Sequence, residues 1–215
     1  ISPTSSHVVY MVLIGGRHEI FSVPIDGSAL PVHLNALEPR PSAYSVTPNG
    51  LHVVFLANTI PSFYAQLYVV PIDGSSPAIR LNGEQPGGQF LISPDGAHVV
   101  FGYDGLYNVP VDASAEPREL SDVEAGHLMG RWLSPDGTRV IYLADEAVDG
   151  RDQLFMVPLD GSAPPERLSP NLVANGDVVF VTIAPDSSRV VFVADAYQDQ
   201  VFELFSAPLD GRRPG

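Results

Sequence analysis

The sequence predicts an all-β protein, a β-propeller of five four-stranded repeat units with the first and last blades incomplete. Three observations predict it. Two short markers recur five times in fixed order, the apolar runs between them are β-branched, and Gly (19) and Pro (21) are spread evenly through 215 residues. Turn formers at even spacing between short apolar runs are what many tight connections between strands require. A β-solenoid is the competing arrangement, but four strands in each unit of this length describe propeller blades.

The first marker is a proline turn that leads into an apolar triplet. Its copies are Ser2-Pro3-Thr4-Ser5, Thr47-Pro48-Asn49-Gly50, Ser93-Pro94-Asp95-Gly96, Ser134-Pro135-Asp136-Gly137 and Ala184-Pro185-Asp186-Ser187. The prolines stand 45, 46, 41 and 50 residues apart. Proline presets φ for the turn, while Asp or Asn caps it and Gly supplies a positive φ. The triplets that follow are Val8-Val9-Tyr10, Val53-Val54-Phe55, Val99-Val100-Phe101, Val140-Ile141-Tyr142 and Val190-Val191-Phe192. They favour strands, and their lack of polar alternation predicts burial on both faces.

The second marker reads Val23-Pro24-Ile25-Asp26-Gly27, Val70-Pro71-Ile72-Asp73-Gly74, Val109-Pro110-Val111-Asp112-Ala113, Val157-Pro158-Leu159-Asp160-Gly161 and Ala207-Pro208-Leu209-Asp210-Gly211. Proline removes a ladder donor, so each of these sites is expected at a strand end or outer edge. One unit therefore reads as four strands. Strand A precedes the proline turn, B is the apolar triplet with its flanks, C is the aromatic strand before Asp-Gly, and D is a short piece such as Ile79-Arg80-Leu81. The units cover about 1–41, 42–86, 87–125, 126–174 and 175–215 of a single domain, 1–215.

The Ser-Pro-Asp-Gly turn, the Val-Val-Phe strand and the Leu-Tyr or Leu-Phe strand resemble the PD40 repeat, the WD40-like repeat of TolB-like propellers. The resemblance covers essentially the whole chain. It implies the propeller fold and, through TolB-like relatives, protein partners. It also extends to propeller domains of tricorn-type proteases and of prolyl-oligopeptidase relatives, because the repeat is a scaffold shared by unrelated activities. The first copy departs from the pattern, with Thr4-Ser5 in place of Asp-Gly, and the third has almost no B–C loop.

Strand A of the first copy is reduced to Ile1-Ser2, and strand D of the last would begin at Arg212. Unpaired edges of this kind are liabilities. Three arrangements are open: a fragment of a longer propeller, five blades closing on themselves, or pairing of edges between neighbouring chains.

Net charge is −14. Such an acidic surface repels phosphate backbones and anionic membranes, which argues against nucleic acid and membrane partners. No apolar run approaches the ~18 residues of a membrane span. The chain has no cysteine, which excludes disulfides, thiolate catalysis and zinc–thiolate sites. It also fits a periplasmic or extracellular location, although no targeting segment is visible.

No catalytic constellation breaks the repeat. There is no Gly-x-Ser-x-Gly elbow and no phosphate loop. Ser93 and Ser134 follow the repeat as turn residues. His7, His52 and His98 share one repeat position with Arg139 and Arg189, and read as polar strand-start residues facing solvent. Asp145, Glu146, Asp149 and Asp152 crowd the B–C loop of the fourth copy, as Asp195 and Asp199 do in the fifth. Spaced Asp residues can ligate calcium, but the twelve-residue EF-hand pattern is absent. Gly15-Gly16 and Gly87-Gly88 read as hairpin loops.

Five residues stand out as interaction candidates. Trp132, the single Trp, and Arg131 beside it break the repeat twice on one strand A. Phe63, Tyr64 and Tyr197 lie in long loops where exposed aromatics make contacts. The leading expectation is a non-catalytic, extracytoplasmic interaction or structural module without cofactor or metal. It would bind protein partners or copies of itself through open blade edges. The alternatives are a propeller domain of a larger peptidase and a carbohydrate- or calcium-binding propeller.

Overall fold

The computed structural model describes residues 1–36, 40–58, 64–103, 105–121, 128–145 and 151–210. Within these residues the chain is all-β, with five antiparallel sheets and no helix. Blade one is β1 (His7–Ile14), β2 (Arg17–Pro24) and β3 (Val32–His33). Blade two is β4 (Pro41–Val46), β5 (His52–Asn58), β6 (Ala65–Pro71) and β7 (Ile79–Arg80). Blade three is β8 (Phe90–Ile92), β9 (His98–Phe101), β10 (Leu106–Pro110) and β11 (Arg118–Ser121). Blade four is β12 (Leu128–Leu133), β13 (Arg139–Ala144), β14 (Gln153–Pro158) and β15 (Glu166–Arg167). Blade five is β16 (Val178–Ile183), β17 (Arg189–Ala194) and β18 (Glu203–Pro208). Neighbours in sequence are neighbours in every sheet, the simplest meander. Among the described residues blade one has no strand A and blade five no strand D. The expected fifth strand D, at Arg212, lies outside them.

The turn chemistry explains the repeat. The buried Ser93 hydroxyl accepts the His98 N–H at 2.9 Å and donates to Asp95, whose carboxylate also accepts the Ala97 N–H at 2.9 Å. The same bonds recur from Arg139 N–H to Ser134 (3.0 Å), from His52 N–H to Thr47 (3.0 Å) and from His7 N–H to Ser2 (3.0 Å). Gly96 sits at φ +73°. Where the marker lacks Gly, Ser5 and Ser187 occupy the same left-handed region, at φ 56° and 59°. The turn is thus held by its hydrogen bonds even where the side chain makes it costlier, by roughly 1 kcal/mol.

Prolines 24, 71, 110, 158 and 208 each end a strand, so none removes a bond from a ladder interior. Beyond them Asp26, Asp73, Asp112 and Asp160 accept the N–H of the serine two residues on, at 2.9–3.0 Å. The two aromatic markers meet across the B–C pair. Tyr10 stacks on Phe21, Phe55 on Tyr68, Tyr142 on Phe155 and Phe192 on Phe205, with centroids 5.3–5.8 Å apart. Strand D is pinned by a side chain the markers do not contain. Asn35 accepts the Ile20 N–H (2.6 Å), Asn82 that of Leu67 (3.0 Å) and Ser169 that of Leu154 (3.2 Å). Gly15-Gly16 makes the two-residue hairpin between β1 and β2, with both φ positive. Gly87 instead pairs with Ala65 in an isolated antiparallel bridge, where a Cβ would strike the Ala65 carbonyl.

The chain divides into two compact units, Ile1–Gly102 with Val109–Pro117, and Tyr103–Asn108 with Arg118–Gly215. In the first unit blades one and two share a core of Val9, Ile20, Leu34, Val53, Phe55, Ala57, Tyr68, Val70 and Ile72. In the second, blades four and five share a core that includes Ile141, Leu154, Met156, Val178, Val190, Phe192 and Leu209. The expectation of burial on both faces holds for the triplets of blades two to four. It does not hold in blade one, where Val9 alone of β1 is buried, or in blade five, where burial along β17 alternates.

Candidate functional site

Trp132 and Arg131 sit on opposite faces of β12, as successive residues of a strand do. Trp132 is half-buried against the core shared by blades four and five. Gly130 makes room for it, since a Cβ there would lie 2.7 Å from the indole ring. Arg131 is desolvated, which pushes its guanidinium down to about 10, so it stays cationic at neutral pH. The pair does not form one surface: Trp132 fills a core and Arg131 takes the other face.

Tyr64 is exposed just before β6 and lines a groove of about 420 Å³ with Gln66, Tyr68, Arg80, Glu84, Gln85 and Pro86. Arg80 is held in place by donating to the Gly83 carbonyl and to Asn82 Oδ1. Asn82 donates in turn to Gln66 Oε1 at 3.2 Å. The groove therefore offers an aromatic ring, a guanidinium and a carboxylate on a hydrogen-bonded floor. Phe63 lies outside the described residues. Tyr197 is strongly exposed and makes a tilted ring contact with Phe205, centroids 6.0 Å apart. It extends the surface of blade five near Trp132's core.

Of the basic residues that open strand B, Arg189 is exposed as expected, but the other four do not simply face solvent. His7, His52, His98 and Arg139 are each half-buried. Arg139 Nε donates to the Leu209 carbonyl in the C–D turn of the following blade. His52 and His98 line a groove of about 450 Å³ with Asn49, Asp112 and Ser114. The nearby His52 adds to the hydrogen bonds from Ser114 that hold the Asp112 carboxyl below its ordinary value. The Nδ1 of His52 is buried there without a hydrogen-bond partner. The sequence could not reveal this role, because it joins residues about 60 positions apart through the packing of two blades.

Glu146 and Asp149 fall outside the described residues. The remaining acidic side chains of that region tie loops together. Asp177 accepts the Asp152 N–H at 3.0 Å, and the buried Asp195 accepts those of Asp177 (2.6 Å) and Gln200 (3.0 Å). The bond from the Asp177 N–H holds the Asp195 carboxyl low. Burial, with the like charges of Asp177 and Asp145, pushes the Asp152 carboxyl up. Among the described residues no three acidic or imidazole groups stand close enough to hold a metal ion. In the same residues no helix is long and apolar enough to cross a membrane.

No family model matches the chain, and no curated protein matches it in sequence. Solved structures do resemble it. A TolB described as putative, from Agrobacterium tumefaciens, superposes with a TM-score of 0.57 at 19% identity, over 98% of this chain and 76% of that one. TolB from Acinetobacter baumannii gives 0.53 at 15% identity, over 98% of this chain and 51% of that one. Dipeptidyl peptidase 4 from Porphyromonas gingivalis gives 0.63 at 14% identity, over 96% of this chain and 37% of that one. This chain thus spans about half the second protein and about a third of the third. Identities this low speak for the fold alone. The repeat, the five sheets and these likenesses agree that the chain has the β-propeller fold of TolB-like proteins.

Proposed function

We propose that the chain is a non-catalytic propeller module that works outside the cytoplasm and binds protein partners or further copies of itself. One observation carries this reading: the side chains that could do chemistry at the repeat positions are committed to turns. The Ser93 and Ser134 hydroxyls each hold the N–H of a strand B and donate to an aspartate. Asp26, Asp73, Asp112 and Asp160 each cap a serine N–H. Exposed aromatic surface at Tyr64 and Tyr197 supports a role in contacts. The lack of cysteine and the resemblance to TolB-like repeats support the extracytoplasmic placement.

The test is whether the purified chain reacts. It should take no label from a fluorophosphonate probe for serine hydrolases and should not turn over prolyl peptide substrates. Turnover that a single substitution abolishes would overturn the reading. A second reading, a propeller domain of a larger peptidase, is favoured by the likeness to dipeptidyl peptidase 4. It predicts an α/β-hydrolase pattern elsewhere in the full coding sequence.

A further inference from the structure

Blades one and two build the same hydrogen-bonded floor between strands C and D, yet they treat the basic residue on it differently. The register is identical: Phe21 pairs with His33, and Tyr68 pairs with Arg80. Asn35 accepts the Ile20 N–H and donates to Glu19, just as Asn82 accepts the Leu67 N–H and donates to Gln66. In blade one the basic residue meets a carboxylate of its own blade. His33 Nε2 lies 2.7 Å from Glu19 Oε2, and the His33 ring stacks on Phe21 with centroids 4.8 Å apart. In blade two the position of Glu19 holds Gln66, an amide with no charge to offer.

Arg80 is tethered instead by neutral acceptors, Asn82 Oδ1 at 3.3 Å and the Gly83 carbonyl. Its Nη1 hydrogens are not used among the described residues. Glu84, in the same groove, makes no hydrogen bond or ion pair among those residues. In a chain with 25 acidic and 11 basic residues, a guanidinium held without a carboxylate keeps its full charge. The groove is also fixed in shape. Asn82 is 0% exposed, and the Gln85 N–H donates to its carbonyl at 2.9 Å while its amide donates to the Gln85 carbonyl. Gly87 pairs with Ala65 on the far side of that turn. Gln66 donates to the Tyr64 carbonyl at 3.3 Å, beside a Tyr64 ring that is 42% exposed. All of these residues lie in the unit that contains Ile1–Gly102.

We propose that this groove of about 420 Å³ binds a small zwitterion, a ligand with one carboxylate and one ammonium group, such as an α-amino acid. The carboxylate takes the outer N–H groups of Arg80, whose planar fork suits two-point binding of a carboxylate. The ammonium takes the Glu84 carboxylate, and the apolar part of the ligand lies against the Tyr64 ring. The volume falls in the range of small-molecule sites. Charge complementarity selects the class. An anion without an ammonium meets Glu84 and a chain of net charge −14, and a cation without a carboxylate meets Arg80. The site is additional to the protein contacts proposed above and does not depend on them.

The experiment is calorimetric titration of the full chain with L-phenylalanine, L-leucine and glycine, and with the dipeptide glycyl-L-phenylalanine. N-acetyl-L-phenylalanine and L-phenylalanine methyl ester each remove one of the two charges. The zwitterions should bind, and each blocked form should bind about tenfold more weakly or worse, the loss of one charge-assisted hydrogen bond. Whether the amino acid or the dipeptide binds tighter distinguishes a free amino acid from a peptide as the source, and either supports the zwitterion. Arg80→Gln and Glu84→Gln should cost a similar factor, and both residues are exposed, so the variants should keep the circular dichroism of the parent. Gln66→Glu copies Glu19 of blade one, keeps an acceptor for the Asn82 amide and gives Arg80 an internal carboxylate. It should weaken binding as much as Arg80→Gln. Absence of heat from every zwitterion at millimolar concentration would overturn the inference. Equal binding of the blocked forms, which needs no variant to fold, would overturn it too, as would unchanged affinity in folded Gln66→Glu. Failure on any of these leaves the non-catalytic reading standing, and substrate turnover would remove that reading while leaving this site untouched.

Discussion

Leu154 and Leu204 occupy the same repeat position, fifty residues apart, and their truncation should have very different costs. Leu154→Ala removes a side chain that is 0% exposed, and Leu204→Ala one that is 73% exposed. Burying a leucine completely stabilises a fold by ~1.5–3 kcal/mol, and the cavity left by truncation raises the loss to ~2–5 kcal/mol. Leu154 lies in the middle of the core between blades four and five, so about 3 kcal/mol is expected. Leu204 keeps about a quarter of its surface buried, which scales the transfer term to roughly 0.5 kcal/mol and leaves no closed cavity. For a chain of this size ~1 kcal/mol corresponds to about 2–4 °C in Tm. The first variant should therefore melt about 6–12 °C lower and the second within about 2 °C of the parent. The assay is thermal unfolding followed by circular dichroism and by the fluorescence of Trp132, at a protein concentration where single chains dominate. Equal losses at the two positions would refute the argument that neighbouring blades, and not the strand, decide burial.

Four further outcomes follow from the same geometry. Ser93→Ala leaves the part-buried His98 N–H without its acceptor and should cost ~1 kcal/mol in urea unfolding, and an unchanged midpoint would sink the turn argument. The carboxyls of Asp26, Asp95, Asp112 and Asp160 are held low by hydrogen bonds from the neighbouring serines. Their contribution is present above the ordinary carboxylate value of 3.8 and is lost as pH falls through the lowered values, so stability should drop on acidification. Asp152 runs the other way: burial and like charges raise its carboxyl, so the ionised form opposes folding at neutral pH. Asp152→Asn should therefore raise Tm at pH 7, and the gain should vanish as pH falls through the raised value to 3.8, whereas a gain constant with pH would exclude this cause. Gly130→Val places a Cβ 2.7 Å from the Trp132 ring and should shift the emission maximum and cost ~1–3 kcal/mol, so an unaltered spectrum would contradict the packing.

Much of the candidate site was out of reach of the sequence, and particular residues show why. Trp132 and Arg131 are conspicuous because they break the repeat, yet they lie on opposite faces of β12, and one of them serves a core. A rare residue marks a change in the space to be filled as readily as it marks a binding site. Tyr64 is legible as a loop aromatic, but the groove it lines depends on Arg80 and Glu84 in the D-strand region of the same blade. The His52 and Asp112 pair is invisible in the sequence because its members sit in different repeats. The loops between markers vary in length, so no local rule fixes which turn meets which strand.

The sequence by itself determined the turns, the strands, their order and the number of units. These depend on contacts within a few residues: the serine that holds the N–H five positions on, the aspartate that caps two positions on, and the aromatic pair across one hairpin. Such chemistry repeats wherever the letters repeat. Tertiary structure alone decided which face of each blade is covered. Leu154 and Leu204 read alike, and so do Leu209 and Ile25, but their exposures differ by more than an order of magnitude. Burial is a property of what lies opposite a residue, and the hydrophobic effect that rewards it depends on water removed by a neighbour that no local pattern encodes.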